Sequence, residues 1–259
     1  MNIKHKKNII NQERIINYSN KEFYSICKSS KKIKHLKNII NKDKKIIVFK
    51  KVINNKALKE IKKVRNNILN RKPMFFKTFL GSKDLFIFNK LNKKSTVKGY
   101  FKKIELYPWN EKNRIIYSNL KKVMELKCTM DSLNFNGSKN QSFFDNRKFL
   151  KIQLTNYPPK KGFLKKHIDG IYKSIIVLQI GMASSGKYNN SSGLTFYFNN
   201  EEINVDQHIK AGDIAIYNPI IPHAVNPSKS GKGRWSMLIS SGYFGKLKGT
   251  RLQSKQVGL

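Results

Sequence analysis

The apolar positions of this chain change rhythm near residue 149. Upstream they recur mostly at helical spacing; downstream they gather into short runs of strand length. Between Lys56 and Leu69, residues Ala57, Leu58, Ile61, Val64 and Ile68 share one face of an amphipathic helix. A second helix is predicted from Glu111 to Met130. Ile115, Ile116, Leu120, Val123, Met124 and Leu126 form its broad face, and Asn110 is its candidate N-cap. In residues 1–44, Ile15, Ile16, Tyr18, Phe23, Ile26 and Cys27 stripe a short helix flanked by lysines, which predicts a frayed end. Ile46–Phe49, Leu85–Phe88 and Phe101–Tyr107 read as strands. Asp131 to Asn146 reads as a loop.

From Phe149 to Phe244 the pattern predicts strands at Lys151–Tyr157, Phe163–His167, Lys173–Met182, Leu194–Phe198, Ile203–Gln207, Asp213–Asn218, His223–Asn226 and Arg234–Phe244. Pro158-Pro159, Gly170, Asn199-Asn200, Ala211-Gly212 and Ser228–Gly233 punctuate them. Short strands at regular intervals predict a sandwich or jelly roll. The fold class is therefore mostly β (α+β). A single domain spans 1–259, with helical and mixed support over 1–148 packed outside a core over 149–244, and a basic tail over 245–259. The polar stretch Met182–Ser192, between two predicted strands, is a candidate substrate-covering loop.

Composition changes this picture little. The chain has 259 residues, 39% of them hydrophobic, enough for a real core. Its net charge of +38 invites a nucleic-acid partner, but nearly all of it is Lys, spread along the whole chain. Lys, Asn and Ile abound together, as A/T-rich codons dictate. Arg, the better residue for planar phosphate recognition, is scarce. Cys27 and Cys128 make no disulfide framework and point to a reducing compartment. No apolar stretch follows the basic N-terminus, and the longest apolar run, Ile175–Leu178, is too short for a bilayer. A soluble, cytoplasmic protein is expected.

The candidate chemistry lies in the strand-rich part. In Lys165-Lys166-His167-Ile168-Asp169-Gly170, strand alternation points His167 and Asp169 the same way. His223 follows several strands later. Two histidines and a carboxylate on a β scaffold are the ligand set of a non-haem Fe(II) site with open positions. His5 and His35 sit in Lys-rich sequence and His208 precedes a turn, so all three are expected at the surface. Arg234 opens the apolar strand Trp235–Ile239, beyond the turn that follows His223. A hairpin centred near Lys229 would bring it level with His223, one strand from the metal. Arg suits bidentate pairing with a carboxylate, and Ser236, on the same face, offers a hydroxyl to the same anion.

These residues occur in an order that resembles the 2-oxoglutarate/Fe(II)-dependent dioxygenase superfamily, particularly its prolyl-hydroxylase-like branch. The resemblance covers roughly residues 150–244. Asn156–Gly162 followed by His167-Ile168-Asp169 is similar to the family's Tyr…Gly…His-x-Asp block. Ser174–Gln179 is similar to its central strand, and Ser192–Phe196 to its Gly-Gly-x-Leu turn, with Ser in place of the first Gly. Ala211–Tyr217 is similar to its Gly-Asp strand, Pro222–Val225 to the segment of the distal histidine, and Gly233–Ser236 to its Arg-x-Ser pair. The resemblance implies a double-stranded β-helix (jelly roll, cupin-like) core. It implies Fe(II) on His167, Asp169 and His223, with 2-oxoglutarate chelating the metal, its far carboxylate on Arg234 and Ser236, and its next contact the Tyr157 hydroxyl. Dioxygen would be consumed, with release of succinate and CO2 and hydroxylation of a small-molecule or peptidyl substrate. Collagen-type prolyl hydroxylases carry Lys where this chain has Arg234, so a prolyl substrate does not follow. Halogenases of the superfamily replace the carboxylate ligand; Asp169 is intact, which favours hydroxylation. Two other readings stay open: a non-catalytic jelly-roll binding protein that keeps the metal motif, and a nucleic-acid oxidative demethylase.

Overall fold

A computed structural model describes residues 14–68, 72–73, 78–91, 95, 97–133, 135, 143–169, 177–181, 192–199, 201–228, 233–244 and 255–256. The chain begins with β1 (Ile15–Tyr18), α1 (Asn20–Cys27), α2 (Ser30–Asn41), β2 (Ile46–Phe49) and α3 (Asn55–Ile68). β3 (Leu85–Phe88), β4 (Gly99–Tyr100), β5 (Lys102–Leu106), α4 (Arg114–Asn119) and α5 (Lys121–Met130) follow. The strand-rich part holds β6 (Lys148–Tyr157), β7 (Phe163–Ile168), β8 (Val177–Gly181), β9 (Gly193–Phe198), β10 (Glu201–Asn204), β11 (Ile214–Tyr217), β12 (His223–Asn226) and β13 (Arg234–Tyr243); β14 (Lys255–Gln256) comes last.

The strands form two sheets. The larger has the order β1-β2-β11-β8-β13-β6-β5-β3, and the smaller β10-β9-β12-β7-β14, with β4 also on β7. Among the described residues, all pairings are antiparallel except β1 with β2. From β6 to β13 successive strands alternate between the sheets, except that β9 and β10 pair with each other in the smaller one, in a jelly-roll-like order. Between the sheets, Val48, Tyr157, Ala215 and Tyr217 of the large one meet Leu194, Phe196, Ile203 and Val225 of the small one.

The large sheet is buried on both faces, and β6 shows how its sequence meets that demand. Ile152 and Leu154 point outward, into a core shared with Ile104, Met237 and Ile239 and with Leu36 and Ile40 of α2, Ile61 of α3 and Met124 of α5. Gln153, Thr155 and Tyr157 alternate with them and point the other way. The helices thus cover the outer face, as their amphipathic patterns require. Ser19 caps α1 in a reciprocal capping box with Glu22, and Ser29 caps α2.

Several expectations need correction. Ile15, Ile16 and Tyr18 form a strand, not a helix, because β2 offers a parallel edge whose partners begin at Ile46. The predicted helix from Glu111 to Met130 is three pieces: a 3-10 turn over Glu111–Asn113, α4, and α5, with the break at Leu120. Asn110 makes no capping bond; its side chain donates to Ser82 and Asp84 instead. Val205–Gln207 is a 3-10 turn rather than the end of a strand. The basic tail contributes β14, which pairs with β7 at Ile168 and His167. His208 is half-buried, whereas His35 is exposed as expected. The frayed N-terminus, His5 and most of the covering loop, 182–191, lie outside the described residues. Among the described residues, no helix is long and apolar enough to cross a membrane.

Candidate metal centre

His167 on β7 and His223 on β12 are direct cross-strand partners. The β7–β12 register shifts beside this pair: Leu164 faces Val225, so three steps on β7 match two on β12. Such a bulge re-aims a side chain, here the imidazole of His167. Asp169 lies just past the end of β7, where its backbone N–H donates to Pro219 O at 3.0 Å.

The three ligand-type atoms converge. Asp169 Oδ1 is 3.3 Å from His167 Nε2, and Asp169 Oδ2 is 3.7 Å from His223 Nε2. One ligand atom from each residue lies within 4.8 Å of the others. Atoms at right angles around an ion, each at about 2.1 Å, would be roughly 3 Å apart, so the cluster is close to a closed ligand set. Each imidazole is fixed from behind. His167 Nδ1 is 2.9 Å from Lys165 O, and His223 Nδ1 is 2.9 Å from Ile221 O. A carbonyl only accepts, so both Nδ1 atoms carry a proton and both Nε2 atoms are turned toward Asp169.

Burial lowers the pKa of His223 more than Asp169 raises it, which keeps the ring neutral. Burial alone would raise Asp169, but the hydrogen bond from His167 and the nearby His223, His167 and Lys103 hold its carboxyl below the usual range. Neutral imidazoles and an ionised carboxylate are the donor forms a divalent cation needs. Two histidines and a carboxylate suit Fe(II) and leave coordination positions for other ligands. The residues present therefore fit the metal. Phe196 stacks on His223 at 5.4 Å and 28°, and Tyr217 meets it edge-on at 5.9 Å, so aromatic rings wall the ligand.

Arg234 does not reach this place by the expected hairpin. β12 belongs to the small sheet and β13 to the large one, because the chain crosses between sheets after Asn226. Arg234 pairs with Tyr157 across β13–β6 and approaches from the opposite sheet. Its guanidinium lies 5.5 Å from the Tyr157 ring centre. Gly233, at φ +76°, permits this approach; a Cβ there would sit 2.4 Å from Tyr157 O. Tyr157 is buried, and burial pushes its phenol up to about 12, with Arg234 pulling down and Asp169 pushing up. The hydroxyl stays protonated within the fields of both groups. Ser236 is buried on the same face of β13 as Arg234.

Sequence reasoning missed Asp206. It accepts from Arg234 Nε at 2.5 Å and Nη2 at 3.0 Å, and from the Leu194 backbone N–H at 2.9 Å. Asn204 fixes the turn by accepting from Asp206 N and donating to Ser192 O. One signal was present: the chain has 15 acidic residues against 53 basic ones, and this acid follows the apolar-containing stretch Ile203–Val205. Tyr217 was also missed as a wall of the site.

The sequence matches no protein-family model and no curated protein. The fold has solved relatives. A prolyl-4-hydroxylase from Pseudomonas putida is similar over 82% of this chain and 97% of its own, at 12% identity and a TM-score of 0.50. A prolyl hydroxylase from Trichoplax adhaerens, solved with a peptide fragment of the hypoxia inducible factor oxygen degradation domain, is similar over 85% of this chain and 92% of its own. Its identity is 14% and its TM-score 0.54. At such identities the likeness is one of fold: this chain is built like prolyl hydroxylases, mostly of β-strands in jelly-roll-like sheets.

Proposed function

We propose that this protein is an Fe(II)- and 2-oxoglutarate-dependent dioxygenase that hydroxylates a small-molecule or peptidyl substrate. In this reading β6–β13 form the eight strands of a double-stranded β-helix. The observation that carries it is the convergence of His167, Asp169 and His223, both Nε2 atoms turned inward by backbone carbonyls, opposite a buried Arg234.

His167, Asp169 and His223 would hold the metal. When bound, iron with 2-oxoglutarate supplies the oxidising chemistry, consuming dioxygen and releasing succinate and CO2. The chain's own residues bind, orient and shield. Asp206 occupies the Nε/Nη2 edge of Arg234, so the guanidinium would meet the far carboxylate through Nη1 and the outer hydrogen of Nη2. The protonated Tyr157 hydroxyl donates beside it, and Ser236 adds a hydroxyl on the same face. Phe196 and Tyr217 exclude water from the ligand side of His223. The peptide bound by the Trichoplax relative supports keeping a peptidyl substrate within the class.

The test is succinate release by iron-loaded protein given 2-oxoglutarate and dioxygen. Release that needs all three supports the enzyme. Iron-replete protein that neither forms succinate nor binds 2-oxoglutarate is a jelly-roll binding protein instead.

A further inference from the structure

The metal centre is closed at its imidazoles and open at its carboxylate. The side chains of His167 and His223 are 4% and 5% exposed, that of Asp169 36%. Asp169 follows directly on β7, and the side of β7 away from β12 is thinly covered. Among the described residues it meets β4 and β14, two residues each, and one further bond from Lys165 N–H to Lys98 O at 2.9 Å. β4 is tied into the fold: the Asn89 N–H donates to Phe101 O at 3.0 Å and Asn89 Nδ2 to Gly99 O at 3.3 Å. β14 lies on the half nearer the metal, with Lys255 opposite Ile168 and Gln256 opposite His167.

Two residues supply few ladder hydrogen bonds, and their net worth is on the scale of the entropy lost in ordering those residues. β14 is therefore exchangeable. When it leaves, the edge of β7 at His167 and Ile168 is bare, and a bare strand edge is a template for another extended chain. A guest strand in the direction of β14 runs antiparallel to β7 and passes Ile168 before His167. It thus comes onto β7 from the Asp169 end, where the centre is open. Its residue opposite His167 has its side chain on the face that the imidazole uses, with the two Cβ atoms about 5 Å apart. That side chain is delivered beside the metal ligands.

We propose that the β7 edge at His167–Ile168 is the docking site of an extended peptidyl substrate, which takes the place of β14, and that β14 is its competitor within the chain. This rests on the dioxygenase reading above and narrows its substrate class to peptides. Main-chain bonds supply the affinity and tolerate many sequences; the residue opposite His167 is the one selected.

The test uses the full chain loaded with Zn(II) and given 2-oxoglutarate, so that no turnover occurs. The probe is an acetylated and amidated peptide of alternating Thr and Val. Its control is the same peptide with every backbone nitrogen methylated, which has no donor for a strand ladder. Amide hydrogen exchange should show the probe adding protection at His167–Ile168 and removing it at Lys255–Gln256, while the control does neither. In the double variant Lys255→Pro/Gln256→Pro, β14 has no donors. There the β7 amides should exchange faster until the probe is added, and the probe should bind about two- to tenfold more tightly, because no docked β14 competes. Gln256→Pro alone replaces the double variant if that does not fold. No binding to the variant, equal binding of the methylated control, or binding that leaves β14 protected overturns the docking site. Calorimetry of 2-oxoglutarate on the same samples separates the two claims. Peptide capture without 2-oxoglutarate binding leaves the docking edge and removes the dioxygenase; 2-oxoglutarate binding without peptide capture leaves the dioxygenase and removes the docking edge.

Discussion

Asp206 grips the Nε/Nη2 edge of Arg234 with both carboxylate oxygens, and both side chains are buried. The ion pair fixes the plane of the guanidinium and occupies its Nε/Nη2 edge. Arg234→Ala should weaken 2-oxoglutarate binding by about 10- to 100-fold, the loss of one or two charge-assisted hydrogen bonds, while iron content stays unchanged. Arg234→Lys should not restore it, because an ammonium lacks the planar fork that holds Asp206. Calorimetry with parallel metal analysis checks both. Equal loss of metal and cosubstrate would tell against the assigned role.

Breaking the pair from the other side should cost stability. Asp206→Ala leaves a buried guanidinium without its main counter-charge, at about 3–5 kcal/mol. Urea unfolding measures this, and a loss below about 1 kcal/mol, the scale of a surface pair, would contradict the buried geometry.

Gly193 lies beneath the same carboxylate. Its φ is +91°, and a Cβ there would be 2.3 Å from Asp206 Oδ2. Gly193→Ala should therefore combine backbone strain with displacement of Asp206, lowering stability by about 2 kcal/mol or more and weakening 2-oxoglutarate binding with it. Retention of wild-type affinity by a folded Gly193→Ala variant would show that Asp206 does not position Arg234.

Much of the centre was legible because it is local. His-x-Asp spacing fixes a shared side wherever a strand ends, and His167 and Asp169 meet at 3.3 Å as that rule requires. The β-rich texture from residue 149 onward also translated directly into strands, since alternation such as Ile152-Gln153-Leu154-Thr155 serves a sheet buried on both faces. Long-range pairing was not legible. Nothing near Lys229 says whether the chain turns back as a hairpin or crosses to the other sheet, and the hairpin was the wrong choice. Asp206 escaped for the same reason: its partner is 28 residues away on another strand. Ile15 and Ile16 misled because a short apolar run has no period of its own, and only the edge of β2 made them a strand.

Buried Glu105, ion-paired with Lys151 at 2.7 Å and Lys103 at 3.0 Å, gives a pH signature. Its folded pKa lies below the unfolded value near 4.5, so the stability it contributes is fully present above that pH and is lost as the pH falls toward the folded value. Urea midpoints measured from about pH 7 down to about pH 3 should fall for the wild type. Glu105→Gln should be less stable at neutral pH and show a shallower acid slope. Parallel slopes would mean that Glu105 is not the buried, ion-paired carboxylate described.

Lys127 and Asp131 form another buried ion pair, at 2.6 Å on the last turn of α5, and Ser241 of β13 donates to Asp131 at 2.8 Å. The pair ties the helix layer to the sheet, away from the proposed chemistry. Asp131→Ala should cost about 3–5 kcal/mol in urea unfolding and leave 2-oxoglutarate affinity unchanged in the folded fraction. A parallel loss of affinity would show that the helix layer supports the site.

In the proposed function, His167, Asp169 and His223 hold a metal to which 2-oxoglutarate binds. The most direct test of this is an anaerobic calorimetric titration of 2-oxoglutarate into Fe(II)-loaded wild type, metal-free wild type and Asp169→Ala. One molecule should bind per Fe(II)-loaded chain, and at least about 10-fold more weakly without metal or without Asp169. Equal affinity in all three would contradict the account.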